Sequence, residues 1–312
     1  MNELFGSDGI KGIANTELTA ELALKLGRAG AYVLSKETTA PFKIIVGKDT
    51  RISGDMLEAA LTAGLCSMGA QVISVGILPA PAVAYLTKKY KALAGVVVSA
   101  SHKSMEYNGI KFFDNNGCKI SEQSEELIEQ YVFGEKEIEN IPLGKNIGKI
   151  SRVDTGKRDY VDYIKSTIDC NFDGFRIAID CANGSAYECS KMAIKELGAD
   201  VIIINNVPNG ININENCGSA HMEGLCRFVT ENKCDFGLAF DGDGHVVHAA
   251  DEKGGIISNT QILSFCAESL SEQTFLPVNL SGDGPLTALQ FCALLKKTGK
   301  KPTELGIDRK MV

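Results

Sequence analysis

Six short apolar runs rich in Val, Ile and Phe punctuate the chain: residues 42–47, 72–78, 93–98, 175–179, 201–204 and 236–240. Amphipathic stretches with helical spacing separate most of them. Strands that alternate with helices demand β-α-β crossovers and a largely parallel sheet, which restricts the chain to the α/β class. In open sheets of that kind, ligands sit just beyond the carboxyl ends of the strands. The residues that follow each run are therefore where chemistry is to be sought.

Taken in order, Leu22, Leu26, Ala29 and Val33 predict a helix over 19–35 with Thr19 as its N-cap. Ser53 is placed to cap a helix over 55–68, a third helix follows Pro79 and Pro81 at 82–90, and an acidic one spans 122–132. Residues 141–157 are polar and aperiodic, which sets a domain boundary near Ser151. Beyond it, helices are expected at 159–168, 186–197, 222–232, 261–270 and 286–297, with a further apolar run at 275–280.

Composition narrows the function. The 312 residues suffice for two or three domains, and 44% hydrophobic with 23% charged residues fits a globular chain with a sizeable core. A net charge of −7 argues against nucleic acid as the main partner. No basic leader, spanning apolar run or C-x-x-C pair is present, so the ten cysteines read as small buried hydrophobes, and a cytoplasmic protein with no membrane partner is expected.

Three stretches carry candidate chemistry. The run at 93–98 breaks into Ser99-Ala100-Ser101-His102, followed by Asn108-Gly109-Ile110-Lys111. This fits either a catalytic loop or a polar turn between two strands. The Gly-rich segment 5–12 presents Lys11 to an approaching phosphate, or to solvent. After the run at 236–240 come Asp241-Gly242-Asp243-Gly244-His245. Two carboxylates at i,i+2 suit a hard cation such as Mg²⁺ or Ca²⁺, while the same four residues also suit a hairpin turn. His245 brings nitrogen to the set, which suits later metals. An EF-hand is excluded, because Val246 stands where that loop needs glycine.

Together these stretches resemble the α-D-phosphohexomutases over nearly the whole of residues 1–262. The resemblance rests on Phe-Gly-Ser-Asp-Gly-Ile-Lys-Gly at 5–12, Gly-Lys-Asp-Thr-Arg-Ile-Ser-Gly at 47–54, Ser-Ala-Ser-His at 99–102 and Asn-Gly-Ile-Lys at 108–111. It continues through Asp-Cys-Ala-Asn-Gly at 180–184, Asn-Cys-Gly-Ser at 216–219 and Asp-Gly-Asp-Gly at 241–244. It implies consecutive three-layer α/β/α domains with mixed, mainly parallel sheets: domain 1 at 1–150, domain 2 at 151–253 and a truncated third-domain remnant at 254–312.

The resemblance also implies roles. Ser101 carries a phosphoryl group exchanged with the sugar, interconverting glucosamine 6-phosphate and 1-phosphate through a bisphosphate. His102, Lys111 and Lys11 serve as catalytic partners, and Lys11, Arg51 and Lys111 bind substrate phosphate. One Mg²⁺ is held by Ser101, Asp241, Asp243 and His245, with glucose or glucosamine bisphosphate as activator. The substrate is a phosphorylated amino sugar.

Departures from the family pattern temper the expected activity. Lys103-Ser104 replace an expected Asn-Pro, and His245-Val246 replace an aspartate and an arginine. The Gly-Glu-x-Ser-Gly-His sugar-recognition loop is absent between the two pieces that resemble domain 3, and a fourth domain is expected to be missing. Mutase turnover is therefore expected to be weak or lost. The alternative is an inactive remnant that binds a phosphosugar, or a partner or second copy covering apolar surface at Ile262, Leu263, Phe265, Phe291, Leu294 and Leu295.

Overall fold

The computed structural model describes residues 4–36, 38, 41–271 and 282–305; the apolar run expected at 275–280 lies outside them. The chain divides into two compact units, Met1–Lys157 with Asn209–Ile211, and Arg158–Pro208 with Asn212–Val312.

The first unit is built on β1 (Ile10–Ile13), β2 (Lys43–Lys48), β3 (Gln71–Ile77), β4 (Ala94–Val98), β5 (Tyr107–Phe113) and β6 (Ile150–Arg152), in the order β1-β5-β4-β2-β3-β6. β2 runs parallel to β3 and β4, and β6 parallel to β3, while β5 is antiparallel to both β4 and β1. Helices α1 (Ala20–Leu34), α2 (Ser53–Ser67), α3 (Ala80–Lys89) and α4 (Glu122–Val132) complete the unit. All five residues of β4 are buried, as the unbroken run Ala-Gly-Val-Val-Val requires of a strand covered on both faces.

Local expectations fare unevenly here. Thr19 does cap α1, its Oγ1 accepting the Leu22 N–H at 3.2 Å. Ser53 does not cap α2; it lies inside the first turn, and its Oγ accepts from Asn108 Nδ2 at 2.9 Å. α3 begins two residues early because Pro81 is tolerated in a first turn, where no N–H is needed. β6 carries the chain past Ser151 into the first sheet, so the unit ends at Lys157.

In the second unit β7 (Arg176–Asp180), β8 (Asp200–Ile204), β9 (Phe236–Phe240), β10 (Val247–Ala250) and β11 (Ile256–Ile257) form a sheet ordered β11-β10-β9-β7-β8. β7 is parallel to β8 and β9, and β10 and β11 add antiparallel strands. Its helices are α5 (Gly156–Ser166, entered from the first unit), α6 (Cys189–Glu196), α7 (Glu223–Glu231), α8 (Asn259–Ser271) and α9 (Gly284–Thr298). Both units are thus mixed, mainly parallel α/β sheets, as expected.

The expectation of exposed apolar surface beyond residue 254 is corrected. Residues Gly284 to Leu295 of α9 are all buried, and Ile262, Phe291, Leu294 and Leu295 lie inside the second unit, with Leu263 and Phe265 half-buried. The physical reason is that α9 is predominantly apolar, with Thr287 and Gln290 the only polar side chains before Lys296, so it belongs within a core. Phe291 meets Phe236 edge to face at 5.9 Å. Asp283 caps α9 by accepting the Leu286 N–H at 2.9 Å and takes a 2.6 Å hydrogen bond from the Tyr160 hydroxyl.

All ten cysteines are free thiols; six are buried as small hydrophobes, while Cys118 is exposed. No helix among the described residues is long and apolar enough to cross a membrane.

Candidate active site

Ser101 follows β4 directly, at the carboxyl end of a central parallel strand. The next parallel strand, β2, ends in Asp49-Thr50-Arg51, and the Asp49 N–H donates to the Val98 carbonyl at 3.1 Å. The two strand ends are thereby joined. Ser99 donates from Oγ to Asp49 Oδ2 at 2.6 Å, and the same Oγ accepts the Ser101 N–H at 3.1 Å. Ser101 is itself buried and holds φ 55°, in the left-handed region that side chains with a Cβ rarely occupy.

Arg51 lies behind this loop. It is 2% exposed, and its Nε donates to Asp49 Oδ2 at 2.8 Å. One Nη donates to the carbonyls of Ser104 and Tyr107 (3.0 Å), the other to those of Ser101 (3.0 Å) and Lys103 (2.8 Å). A guanidinium has five N–H donors, and all five are engaged. The donors that the sequence reading offered to a substrate phosphate thus all face protein oxygens. Burial pushes the Asp49 carboxyl up, opposed by the Arg51 charge and by the hydrogen bonds from Ser99 and Arg51.

β5 brings in the lysines. Gly109 accepts the Ser99 N–H through its carbonyl at 2.9 Å and sits opposite Lys11 of β1. Lys111 follows two residues later, opposite Val97. Asp8 bridges the two lysines, with Lys11 Nζ at 2.5 Å and Lys111 Nζ at 2.7 Å from its two oxygens. Burial raises the Asp8 carboxyl, yet the Lys111 charge and the hydrogen bonds from both lysines outweigh it and hold Asp8 below its ordinary value. The structure therefore brings Lys11 and Lys111 together, and it does so through a residue that the sequence reading passed over. Asp8 stands in Gly-Ser-Asp-Gly, where an aspartate reads as an ordinary turn former.

Gly109 shows how closely these pieces pack. A Cβ there would lie 2.4 Å from the Ser99 oxygen and 2.7 Å from the Ile10 oxygen. Gly109→Ala is expected to cost about 1–3 kcal/mol, typical of overpacking a tight site. Urea unfolding checks this; a variant as stable as the parent would show that the loop yields freely.

In the second unit Asp241 and Asp243 follow β9 and are both buried. They lie in the hairpin loop between β9 and the antiparallel β10, where the Val246 N–H donates to Asp241 Oδ1 at 2.9 Å and the Gly244 N–H to the Asp241 carbonyl at 3.1 Å. The hairpin and the paired carboxylates coexist. Two motifs of no assigned role support this loop. Ser185 donates its N–H (2.8 Å) and its Oγ (3.1 Å) to the Gly242 carbonyl, and the Ser219 N–H donates to that of Phe240 at 2.9 Å. Asp180 accepts from the amides of Ala182 and Gly218, both at 2.9 Å, which ties the two motifs to each other.

His245 does not join the carboxylates. It is exposed, its ring lies over Gly282, and a Cβ on Gly282 would come within 2.6 Å of Cε1. Among the described residues no group of three or more His, Cys, Asp or Glu side chains is arranged to hold a metal. The hairpin itself offers two buried carboxylates, Asp241 and Asp243. That pair fits a hard cation whose remaining ligands come from phosphate and water, the usual arrangement for Mg²⁺.

Comparison with known proteins settles the lineage. The phosphoglucomutase/phosphomannomutase alpha/beta/alpha domain I matches residues 2–139, and domain II of the same family matches 158–254. The chain belongs to the phosphoglucomutase/phosphomannomutase family. Within this phosphohexomutase family, it is 54% identical to the phosphoglucosamine mutase of Clostridium acetobutylicum and 45% identical to that of Clostridium novyi. Each comparison covers 98% of this chain and 81% of the relative. Both alignments run to 364 positions, more than the 312 residues of this chain, so each relative carries residues that this phosphohexomutase skips. Among solved structures, the phosphoglucomutase/phosphomannomutase family protein of Burkholderia thailandensis shares the fold, with a TM-score of 0.83 at 21% identity over 98% of this chain and 79% of that one.

Lys103 and His245, the positions expected to depart from the family pattern, are both placed by the structure. Lys103 is exposed, and its Nζ lies 5.8 Å from the centre of the Tyr107 ring. His102, beside it, is also exposed.

Proposed function

We propose that this phosphoglucosamine mutase-like chain exchanges a phosphoryl group between Ser101 and a phosphorylated amino sugar, the partial reaction that interconverts glucosamine 6-phosphate and glucosamine 1-phosphate. The observation that carries the reading is the geometry of the Ser101 loop, fixed at a strand end beside the Lys11–Asp8–Lys111 cluster.

In the forward half-reaction the P–Oγ bond of phosphorylated Ser101 breaks as a P–O bond to the sugar hydroxyl forms. The hydroxyl proton leaves to a nearby base, for which His102 is the exposed candidate. The freed Ser101 Oγ keeps the bonding pair and takes up a proton, for which Lys111 is the candidate donor. Lys11 and Lys111 offer positive charge to the incoming phosphosugar, and Asp8 fixes where that charge stands. A glucose or glucosamine bisphosphate serves as the donor that loads Ser101. Asp241 and Asp243 would hold one Mg²⁺, an ion whose chemistry when bound is charge neutralisation of phosphoryl groups.

Complete turnover is expected to be slow. Holding a substrate in its reactive geometry supplies about 7–11 kcal/mol of barrier reduction, and the recognition loop that grips the sugar is absent from this sequence. The half-reaction is the proper test. Incubation with glucose 1,6-bisphosphate and Mg²⁺ should add the mass of one phosphoryl group, mapped to Ser101, and Ser101→Ala should abolish it. An unmodified parent chain, or a modified Ser101→Ala variant, sinks the reading.

A further inference from the structure

Arg51 is a buried cation of the first unit that this reaction scheme does not use. We infer that it is a positioning residue for phosphoryl transfer at Ser101, acting through the main chain of residues 101–107; this rests on the phosphoserine reading above. A residue with a Cβ persists in the left-handed region only where its surroundings over-determine it. Ser101 meets that condition from both sides. Its N–H is held by Ser99 Oγ and its carbonyl by an Arg51 Nη. Both anchors share one oxygen: Asp49 Oδ2 accepts from Ser99 Oγ at 2.6 Å and from Arg51 Nε at 2.8 Å. φ and ψ of the nucleophile are thus tied to a single buried carboxylate at the end of β2.

The remaining Arg51 donors hold the carbonyls of Lys103, Ser104 and Tyr107, so the loop closes around a planar fork. Lysine cannot replace that fork, because its ammonium presents three donors from one point and cannot reach four carbonyls and a carboxylate together. Arg51 touches no ligand in this arrangement. Its effect falls on the orientation of Ser101 Oγ and therefore on the rate at saturation, not on the affinity for the donor.

The experiment uses the full chain, with Arg51→Lys and Ser99→Ala as variants. The rate of Ser101 phosphorylation is followed by intact mass over a range of glucose 1,6-bisphosphate concentrations. Hydrogen exchange is read in parallel on the 99–107 segment and on β2 and β3. Arg51→Lys is expected to lower the maximal rate about a hundredfold, the scale of a 1 Å misplacement, with the half-saturating concentration little changed. The 99–107 amides should exchange faster while β2 and β3 do not. Ser99→Ala should move the same two readouts in the same direction by less. A wild-type maximal rate in Arg51→Lys, or a loss confined to half-saturation, overturns the inference. Should Arg51→Lys fail to fold, Ser99→Ala decides, since it leaves the Arg51–Asp49 pair in place; unchanged rate and exchange there overturn it too. If the parent takes up no phosphate, the phosphoserine reading fails. Loop exchange in Arg51→Lys then decides the clamp alone: faster exchange supports it, unchanged exchange refutes it.

Discussion

Phe291→Ala is expected to destabilise the second unit by about 3–5 kcal/mol, the usual cost of deleting a fully buried aromatic ring. Phe291 has no exposed surface and meets Phe236 edge to face, and Phe236 in turn meets Phe175 at 5.4 Å. The change would empty space at one end of that stack, between α9 and Phe236, the first residue of β9. The test has architectural weight because the domain II match stops at residue 254, thirty residues short of α9. Urea unfolding of parent and variant checks it. A loss below about 1 kcal/mol would put α9 at the periphery and contradict its burial.

The second large effect is a pH dependence. Asp283 is buried, and burial raises its carboxyl to about 6, against smaller opposing effects of the hydrogen bonds from Tyr160 and Leu286. The ordinary value is 3.8. Below both values the folded and unfolded chains each hold the proton, and the contribution of Asp283 to stability is intact. As pH rises from about 4 to 6 the unfolded chain releases its proton first, so stability falls, and above pH 6 the loss is complete. At 1.36 kcal/mol per unit it amounts to about 3 kcal/mol. Asp283→Asn keeps an oxygen for Tyr160 and Leu286, preserves a good N-cap, and carries no charge to bury. The variant should therefore gain stability over the parent across pH 4–6 and hold that gain at pH 7. Glu196 acts in the opposite sense, being lowered to about 2 by Arg158 and Lys165, so the difference between parent and variant is the quantity to measure. Parallel stability profiles for the two proteins would refute the assignment.

Much of this was legible from the chain. The alternation of apolar runs and amphipathic stretches named the fold class because strands separated by helices require β-α-β crossovers. The order of short motifs around Ser101 and Asp241 named the family. What escaped was the direction in which side chains turn. Arg51 follows a strand end just as a ligand-binding residue would, and nothing in Lys-Asp-Thr-Arg tells whether its guanidinium faces solvent or the back of the next loop. Asp8 escaped for a related reason, since its partners stand 3 and 103 residues away and are joined only by the pairing of β1 with β5. The burial of α9 could have been read: Leu286, Leu289, Phe291, Cys292, Leu294 and Leu295 make most of that helix apolar.

Arg51 meets its loop entirely through carbonyl oxygens, and a carbonyl is the same whatever side chain it accompanies. The clamp is therefore blind to the identities at 103 and 104, and replacing Asn-Pro with Lys-Ser leaves every contact it makes available. Those two positions can drift through mutation while the geometry of Ser101 stays put. Asp49, Ser99 and Arg51 have no such latitude, because each contributes a side chain that no neighbour duplicates.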